Sequence, residues 1–520
     1  MTVRSNKKTP PLGLILIFLL SGCASLAPPV ERDLQTTPAV ANDTELDRVI
    51  AATLAPFPGN SGAHFLKDGL DAFAARLAGA DRASRSIDAQ YYLFHDDVTG
   101  RLLAHRLLSA ANRGVEVRLL LDDIGARGRD SDFLALDAHP NIDVRIFNPF
   151  ANRRFRLFEY LYRFGVVTRR MHNKSMIIDG VVAIAGGRNV GDEYYDAHEA
   201  SNFLDMDVMV FGSAVEDISG QYDEYWNSRF SYSIGELAKK QMTRDEAGAG
   251  WAQLAQYAEM QKDGVYLTRL RETPFFDHLQ AGTLPVVIAP ALVLSDRPEK
   301  IHLPLEDDST HLGPALWPLF RQVSEELLIL NPYFIPGHDG VAALAEAVSR
   351  GGRVIVLTNS LASNDVAIVH GHYAKYRKPL LRAGVEIYEL KVDRPGINSS
   401  DLGTEADESH MSLHVKTFIF DRKKTFIGSL NLDPRSVYQN TELGVIVEDI
   451  GMAEEIAVIT LDRLPDIAYQ VGLDESDRLF WLGRDPDTHE MTRYHREPEA
   501  GIFQRILAAV SRVLPVEGQL

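Results

Sequence analysis

Cysteine is almost missing from this 520-residue chain, in which Cys23 is the only one. A lone cysteine excludes an internal disulfide. Basic residues are also fewer than acidic ones. The chain has 54 Lys and Arg and 72 Asp and Glu, which gives a formal charge of −18 and a pI near 5.4. A nucleic-acid-binding surface has to neutralise phosphates, so this balance argues against a general nucleic-acid binder, although it leaves room for a local basic cleft. The remaining composition is that of a folded globular protein.

The N-terminus lacks an apolar run long enough to cross a bilayer, which takes roughly 20 residues. The run from Leu12 to Leu20 follows a short basic stretch and ends in Leu-Ser-Gly-Cys23, which resembles a bacterial lipobox. The cysteine of a lipobox is diacylated on its thiol and becomes the mature N-terminus. We therefore expect residues 1–23 to be a lipoprotein signal peptide and residues 24–45, rich in Pro, Ala and Thr, to be a flexible tether. The alternative is an ordinary signal peptide with an incidental cysteine.

Lipidation of Cys23 would fix the place of the protein in the cell. Two or three acyl chains on one residue anchor a protein stably, whereas a single chain holds it only marginally. Ala24 follows the cysteine, which by the sorting pattern of enteric bacteria indicates the outer membrane. The expected location is the bacterial cell envelope, lipid-anchored at the outer membrane and facing the periplasm.

The chain contains an internal sequence repeat. The segment MHNKSMIIDGVVAIAGGRN from Met171 aligns without a gap with LHVKTFIFDRKKTFIGSLN from Leu413, at a constant offset of 242 positions. Upstream of each copy, strand-like runs alternate with helical stretches, which predicts an α/β fold. We expect two repeats, each a mixed sheet flanked by helices, packed as a pseudo-two-fold bilobal unit. The predicted boundaries are 46–230 for repeat 1, 231–284 for a helical connection, 285–470 for repeat 2, and 471–520 for a C-terminal extension.

The repeated motif carries the chemistry. Residues two apart in a strand share a face, and residues seven apart do not. His172 and Lys174 therefore point together, as do His414 and Lys416, while the aspartates seven positions after each histidine, Asp179 and Asp421, point away. We interpret these aspartates as structural groups bonded into the neighbouring backbone. A small-residue turn follows each motif and delivers Asn189 or Asn431 just beyond it.

Superposing the two units about a pseudo-two-fold axis brings two His, two Lys and two Asn to one point, an arrangement suited to a phosphodiester. The lysines supply positive charge, and the asparagine amides donate to the oxygens of the transition state. One imidazole can attack phosphorus to give a phosphohistidine, while the other protonates the leaving alkoxide and then deprotonates the incoming alcohol or water. This scheme requires no metal and no cofactor.

A nucleophilic imidazole needs its second nitrogen held, usually by a carboxylate. Glu442 lies 28 residues after His414 and Asp205 lies 33 after His172, and each precedes an apolar strand. We predict that these two acids orient the histidines, with Asp207 as the competitor of Asp205. The alternative for either acid is a solvated charge at the end of a strand.

The duplicated HxKxxxxD motif resembles that of the phospholipase D superfamily, and the resemblance spans most of residues 46–470. Within the superfamily, Asn331-Pro-Tyr-Phe, Gly428-Ser-Leu-Asn-Leu-Asp and Asn440-Thr-Glu are most similar to bacterial cardiolipin synthases, particularly the C subtype. The resemblance implies a transphosphatidylase that makes cardiolipin from phosphatidylglycerol, with phosphatidylethanolamine as a further donor and His172 as the nucleophile. Competing interpretations are a hydrolytic phospholipase D, a nuclease of the superfamily, and an inactive membrane-tethered scaffold.

Three further features bear on a lipid substrate. The second motif has Ser429 where the first has a glycine, so a serine hydroxyl is expected at the phosphate on one side only. The stretch 152–170 mixes aromatic residues with Arg153, Arg154 and Arg156, which suits a headgroup-level interface; its alternative is a core helix with a salt-bridged rim. An amphipathic helix is predicted from Gly501, to be packed on its own domain or, alternatively, laid on a membrane surface.

Overall fold

The structure is a computed structural model, and it describes residues 26, 28–41, 43–153, 156, 159–364, 366–392, 410–485 and 488–520. Cys23 and Arg154, for which the sequence predicts lipidation and headgroup binding, lie outside these ranges.

The first lobe is built on a nine-stranded mixed sheet. Its strands are β1 Ser61–Leu66, β2 Ser86–Tyr91, β3 Glu116–Asp122, β4 Ile142–Phe147, β5 Ser175–Ile178, β6 Val182–Gly186, β8 Asp207–Gly212, β9 Ser231–Ser233 and β10 Val287–Ala289. They lie in the order β10-β1-β8-β6-β5-β2-β3-β4-β9. The central strands β2, β3 and β4 run parallel, and the others are antiparallel to their neighbours.

The second lobe repeats this topology in a ten-stranded sheet. Its strands are β11 Ala291–Ser295, β12 Glu326–Leu330, β13 Arg353–Asn359, β14 Glu386–Leu390, β16 Thr417–Phe420, β17 Lys424–Gly428, β18 Leu443–Val447, β19 Ala468–Leu473, β20 Leu479–Arg484 and β21 Met491–Tyr494. The order β11-β18-β17-β16-β12-β13-β14-β19 matches β1-β8-β6-β5-β2-β3-β4-β9 strand for strand. The predicted α/β class and the duplication are therefore confirmed in the strand order itself.

Helices cover the sheets and connect the strands. In the first lobe and the connection they are α1 Glu45–Leu54, α2 Gly69–Arg82, α3 Val98–Asn112, α4 Asp130–Asp137, α5 Glu159–Tyr162, α6 Phe164–Val167, α7 Ser213–Trp226, α8 Ile234–Ala238, α9 Arg244–Gln261, α10 Val265–Arg271 and α11 Pro274–Ala281. In the second lobe they are α12 Gly313–Gln322, α13 Gly337–Ser349, α14 Ala367–Tyr373, α15 Arg377–Arg382, α16 Pro434–Tyr438, α17 Ile450–Ile467 and α18 Ile502–Ser511. Asp68 and Asp97 cap α2 and α3 by accepting backbone N–H groups, the usual role of aspartate at a helix start.

The two lobes share one apolar core. Ile177 and Val208 of the first sheet and Ile419 and Val445 of the second belong to a single cluster of buried side chains. A short parallel ribbon, β7 Ser201–Leu204 paired with β15 His410–Leu413, also joins the lobes. The lobes are thus fixed against each other at the place where both motifs lie.

No helix in the described ranges is both long and apolar enough to cross a bilayer. The C-terminal amphipathic helix forms as predicted, as α18. The helix packs on its own lobe through Ala508 and Ser511, which are buried. Its large apolar side chains point away from the lobe, and Phe503, Ile506 and Val510 are 78%, 56% and 52% exposed. Helix α18 thus contacts its own lobe through small residues and presents its apolar side to solvent.

Candidate active site

The two HxK motifs meet in one buried site between the lobes. His172 and His414 are 8% and 7% exposed, and Lys174 and Lys416 are 1% exposed. The charges of both ammonium groups contribute, after burial, to lowering the pKa of each imidazole well below its usual value. Both histidines also contact an acid of the opposite lobe, so the duplicated motif builds a single centre.

Each histidine is held by an acid from the opposite lobe. His172 Nδ1 lies 2.9 Å from Oε2 of Glu442, and His414 Nδ1 lies 2.6 Å from Oδ2 of Asp205. A carboxylate at Nδ1 keeps the proton on that nitrogen, which leaves Nε2 with a free lone pair. The geometry thus presents two imidazoles whose Nε2 atoms are ready to attack or to accept a proton.

Backbone pairing between the lobes explains this exchange of acids. Thr441 and Met171 form an isolated parallel bridge, in which the Thr441 carbonyl accepts from the His172 N–H at 2.9 Å. On the other side, the ribbon of β7 and β15 ends just before Asp205 and His414, and the Leu204 carbonyl accepts from the His414 N–H at 2.8 Å. Each acid therefore sits directly beside the histidine of the other repeat.

Asp207, the competitor of Asp205, is occupied elsewhere. Its carboxylate accepts from the Arg76 guanidinium at 2.9 Å, and both side chains are buried. It also accepts from the Arg188 N–H at 3.2 Å, which fixes the turn before Asn189. Asp207 thus braces the first lobe and does not contact His414.

The lysines and acids of the site perturb one another strongly. Lys174 donates to the His172 carbonyl at 2.6 Å, and Lys416 Nζ lies 2.9 Å from His414 Nδ1. Burial lowers the pKa of Lys174 to about 7 and raises the pKa of Glu442 to about 7. Burial also raises the pKa of Asp205. Two basic and two acidic side chains are thus buried together, an arrangement typical of functional sites.

The asparagines lie at the predicted turns with different surroundings. Asn189 accepts from the Leu93 N–H at 3.2 Å and donates one of its two amide N–H groups to the Tyr194 hydroxyl at 2.8 Å. Asn431 is 5% exposed, and its Oδ1 has no hydrogen-bond partner. Asn431 is therefore less constrained than Asn189, which is fixed by its neighbours.

The sequence did not predict that the aromatic rings of Tyr92 and Tyr194 and the guanidinium of Arg435 would surround the histidines. Tyr92 meets His172 edge-on at 5.1 Å between centroids, and Tyr194 meets His414 in the same way at 5.2 Å. The Arg435 charge contributes to lowering the pKa of His172. Tyr92 lies in the strand-like run before the first motif and Arg435 just after Asn431, and the sequence alone assigns a role to neither.

Ser429 has a role beyond the one expected. Its hydroxyl donates to Oε2 of Glu442 and accepts from the Leu443 N–H at 3.0 Å, and the residue is fully buried. The hydroxyl is engaged by the acid that holds His172, and its contact with the phosphate stays a prediction. Ser429 donates to the same Glu442 oxygen, Oε2, that lies 2.9 Å from His172 Nδ1, so it helps to hold this carboxylate against the imidazole.

The motif aspartates are bonded into the backbone. Asp179 accepts from the N–H groups of Ser84, Arg85 and Ser86 at 2.7–3.0 Å. Asp421 accepts in the same way from residues 324–326. Both have a positive φ, at 53° and 51°, a conformation that aspartate tolerates better than most residues. Each ties the end of its motif strand to the start of the neighbouring strand.

The basic and aromatic stretch before the first motif is committed to intramolecular ion pairs. Arg153 pairs with Asp123 and Asp130, and Arg156 pairs with Asp123 at 3.1 Å. Their side chains are only 14% and 10% exposed. Arg153 and Arg156 are thus paired with acids that follow β3, and headgroup binding by them stays a prediction. The salt-bridged alternative describes these two residues.

Within the described ranges, one group of side chains has the spacing of a metal site: His95, Asp97 and Glu193. His95 Nδ1 lies 3.3 Å from Glu193 and 3.8 Å from Asp97. Asp97 already caps α3 and Glu193 already pairs with His95, so the fold accounts for these groups without an ion. None of the three contacts the histidines of the site.

Comparisons with known proteins identify the family of this chain. A family profile described as "Cardiolipin synthase, PLD-like domain" matches residues 77–227 and again residues 316–460. Cardiolipin synthase C of Escherichia coli (strain K12) is 41% identical over 468 residues, which cover 88% of this chain and 96% of that protein. The chain belongs to this phospholipase D-like family. It is a phospholipase D-type phosphatidyltransferase.

Two other matches extend along nearly the full chain. An uncharacterized protein of Helicobacter pylori is 32% identical over 515 residues, covering 97% of this chain and 98% of that protein. The crystal structure of phosphatidylserine synthase from Haemophilus influenzae superposes with a TM-score of 0.56 at 13% identity, covering 88% of this chain and 95% of that chain. At this identity the superposition shows a shared fold. The two-lobed arrangement is therefore present in a solved structure.

Proposed function

We propose that this phosphatidyltransferase is a cardiolipin synthase that joins two molecules of phosphatidylglycerol through a phosphohistidine intermediate. The observation that carries the proposal is the exchanged pair of acids, Glu442 on His172 and Asp205 on His414, around two buried lysines. Support for the substrate class comes from the 41%-identical relative named cardiolipin synthase C.

The first half-reaction breaks the bond between phosphorus and the glycerol headgroup. Nε2 of His172 attacks phosphorus, and a phosphorus–nitrogen bond replaces the phosphorus–oxygen bond of the headgroup. His414 gives its proton to the departing alkoxide, so free glycerol leaves. Lys174 and Lys416 stabilise the charge that builds on the phosphoryl oxygens, and electrostatic stabilisation of this kind is usually the main source of rate enhancement. Glu442 stabilises the cationic imidazole that results.

The second half-reaction reverses these roles. His414, now neutral, takes the proton from the headgroup hydroxyl of a second phosphatidylglycerol. The alkoxide attacks phosphorus, the bond to His172 breaks, and cardiolipin forms. The lowered pKa of His172 fits this sequence, because the imidazole has to be neutral when it attacks phosphorus.

Transfer has to outcompete water, which is present at about 55 M in bulk, unless the acceptor is held at a higher effective molarity. An acceptor that is itself a membrane lipid arrives along the bilayer surface, and the site is nearly closed to solvent. Phosphatidylethanolamine is proposed as a second donor. The proposed location is the outer membrane, facing the periplasm and anchored through Cys23.

The test is lipid analysis after incubating the purified protein with phosphatidylglycerol and phosphatidylethanolamine, singly and together. Cardiolipin plus glycerol from phosphatidylglycerol alone is the expected result, with phosphatidic acid as a minor product. His414→Ala serves as the inactive control. If phosphatidic acid dominates with every acceptor lipid present, the protein is a hydrolase.

A further inference from the structure

Helix α18 presents its large apolar side chains to solvent. Along its length and just beyond, seven exposed side chains share one side of the helix: Ile502 76%, Phe503 78%, Ile506 56%, Leu507 38%, Val510 52%, Val513 79% and Leu514 42%. They recur at helical spacing, so they form one continuous surface, which we call the α18 face. Scattered exposed apolar residues are ordinary, whereas a contiguous surface of this kind marks a contact with something else.

The opposite side of α18 is packed tightly, so the helix cannot simply be turned over. Ala508 and Ser511 rest on Gly371 of α14. A Cβ atom on Gly371 would lie 2.0 Å from the Ser511 hydroxyl and 2.5 Å from the Ala508 carbonyl oxygen, so only glycine allows this approach. Because the inward side is made of small residues that fit the body, the outward direction of the α18 face is built into the packing.

The charge around the α18 face favours an anionic partner. Between residues 501 and 516 the charged side chains are Arg505 and Arg512, with no acid, in a chain whose formal charge is −18. Arg512 is exposed, and Arg505 donates to the Glu497 carbonyl at 2.7 Å. A basic amphipathic helix with an apolar side directed outward is the arrangement that lies in the headgroup region of a bilayer.

Hydrogen bonds connect the segment after α18 with the end of α14, with α16 and, through α16, with the residue that follows α6. After α18 the chain turns at Glu517, which accepts from Lys375 at 2.8 Å, and the Leu520 carbonyl accepts from the Arg435 N–H at 2.8 Å. The Arg435 side chain in turn donates to the Thr168 carbonyl at 3.3 Å, two residues from the buried Arg170. Arg435 is also one of the charges that lower the pKa of His172, so the C-terminal segment is hydrogen-bonded to a residue that acts electrostatically on the nucleophile.

Exposed aromatic residues flank this connection. Tyr438 ends α16 and is 46% exposed, and Phe164 begins α6 and is 48% exposed. Arg435 joins the two elements, because it belongs to α16 and binds the residue after α6. Exposed aromatic side chains suit the boundary between acyl chains and headgroups.

We propose that the α18 face docks on the surface of an anionic phospholipid bilayer and seats the active site against the membrane that supplies its lipid substrates. This inference rests on the proposed function, because a bilayer is the partner whose contact would serve a lipid-transferring site. The occupant is the bilayer itself; a second copy of the chain is the competing occupant. The acyl chains predicted on Cys23 tether the protein, whereas α18 sets its orientation.

The activity test compares two presentations of one substrate. The full-length variant Ile506→Glu/Val510→Glu is assayed on phosphatidylglycerol vesicles and on a short-chain phosphatidylglycerol below its critical micelle concentration. We expect a loss on the order of tenfold on vesicles and a change of less than about twofold on the monomeric lipid, because only the bilayer contact is removed. The matched control is Met260→Glu/Val265→Glu, which alters side chains that are 71% and 79% exposed on the connection and leaves both rates unchanged.

A fluorescence test does not depend on turnover. In a Cys23→Ser background, Val510→Cys carries the only thiol, which is labelled with a polarity-sensitive fluorophore. Phosphatidylglycerol vesicles are expected to shift its emission to the blue, and the same label on Lys262→Cys is not expected to respond. A blue shift that depends on protein concentration without vesicles would assign the α18 face to a second copy and overturn the proposal.

The outcomes separate the two claims. If the wild-type protein transforms neither form of phosphatidylglycerol, the proposed function fails, and the emission shift still decides the docking. Equal losses on vesicles and monomeric lipid would give α18 a structural role and overturn the docking. Unchanged turnover on vesicles, or an emission that does not respond to them, overturns it as well.

Discussion

Replacing Glu442 by glutamine should damage catalysis while stabilising the fold. The carboxylate is fully buried and lies 2.9 Å from His172 Nδ1. Glutamine has nearly the same volume, but its amide can donate to Nδ1 and so move the proton to Nε2, the nitrogen needed for attack. At a comparable histidine–carboxylate pair, the wrong tautomer lowers kcat by about 10⁴, and we expect a loss of about 10²–10⁴ here.

The stability effect follows from the pKa of Glu442, which burial raises from 4.5 to about 7. Below pH 4.5 the side chain is protonated in both the folded and unfolded states, so it carries no ionisation penalty. Between pH 4.5 and 7 the unfolded state ionises first, and stability falls as pH rises. Above pH 7 the penalty is complete, at about 3 kcal/mol when each pKa unit corresponds to about 1.4 kcal/mol. Glu442→Gln removes this penalty.

Glu442→Gln should therefore unfold at a higher temperature than the wild type at pH 8, and the two should converge near pH 4.5. Thermal unfolding across this pH range, together with cardiolipin formation at pH 8, measures both effects. Glu448→Gln is the matched control, because Glu448 follows the same strand, β18, and its side chain is 42% exposed. A variant that is both inactive and less stable at pH 8 would refute the argument, since the carboxylate would then be holding the lobes together.

The remaining predictions concern the nucleophile, metals and the anchor. His172→Ala and His414→Ala should each abolish turnover and leave the circular dichroism spectrum unchanged. The double variant should lose no more activity than either single variant, because the two histidines act as one unit. A phosphoenzyme trapped on His414 would exchange their roles. EDTA should leave turnover unchanged, because the lysines supply the charge; loss restored by Mg²⁺ or Ca²⁺ would contradict this. The wild-type protein should need detergent to leave the membrane, whereas Cys23→Ser should be released by high salt. Fractionation measures this difference, and mass spectrometry shows whether Cys23 is lipidated.

The sequence predicts the components of the site better than their pairing. A constant offset of 242 positions identifies His172 and His414 as equivalents, and strand periodicity separates them from Asp179. Nothing in a linear offset says that Glu442 serves the histidine of the other repeat, because this follows from bridges between lobes such as Met171 with Thr441. Long-range backbone contacts of this kind have no local signature.

The features that the sequence did not reveal share one physical cause. Composition reveals a charge but not its partner, and Arg153 and Arg156 are neutralised by Asp123, some 30 residues away in sequence. Similarly, the hydroxyl of Ser429 is satisfied by an acid that the fold brings behind it. Amphipathic spacing identified α18 but not the direction of its apolar side, which depends on the fit between Gly371 and Ser511.

The electrostatics of the site explain why it suits a phosphodiester. The site contains two buried lysines and two buried acids. Burial lowers the pKa of Lys174 to about 7 and raises the pKa of Glu442 to about 7. A bound phosphodiester adds a negative charge, which favours protonated lysines. In the transition state the charge on the phosphoryl oxygens increases further, so the attraction to Lys174 and Lys416 is greatest there and not in the ground state. Because the acids contact the Nδ1 side of each imidazole, opposite the Nε2 atom that reacts, their negative charge stabilises the histidine cations without cancelling the attraction of the lysines for the substrate.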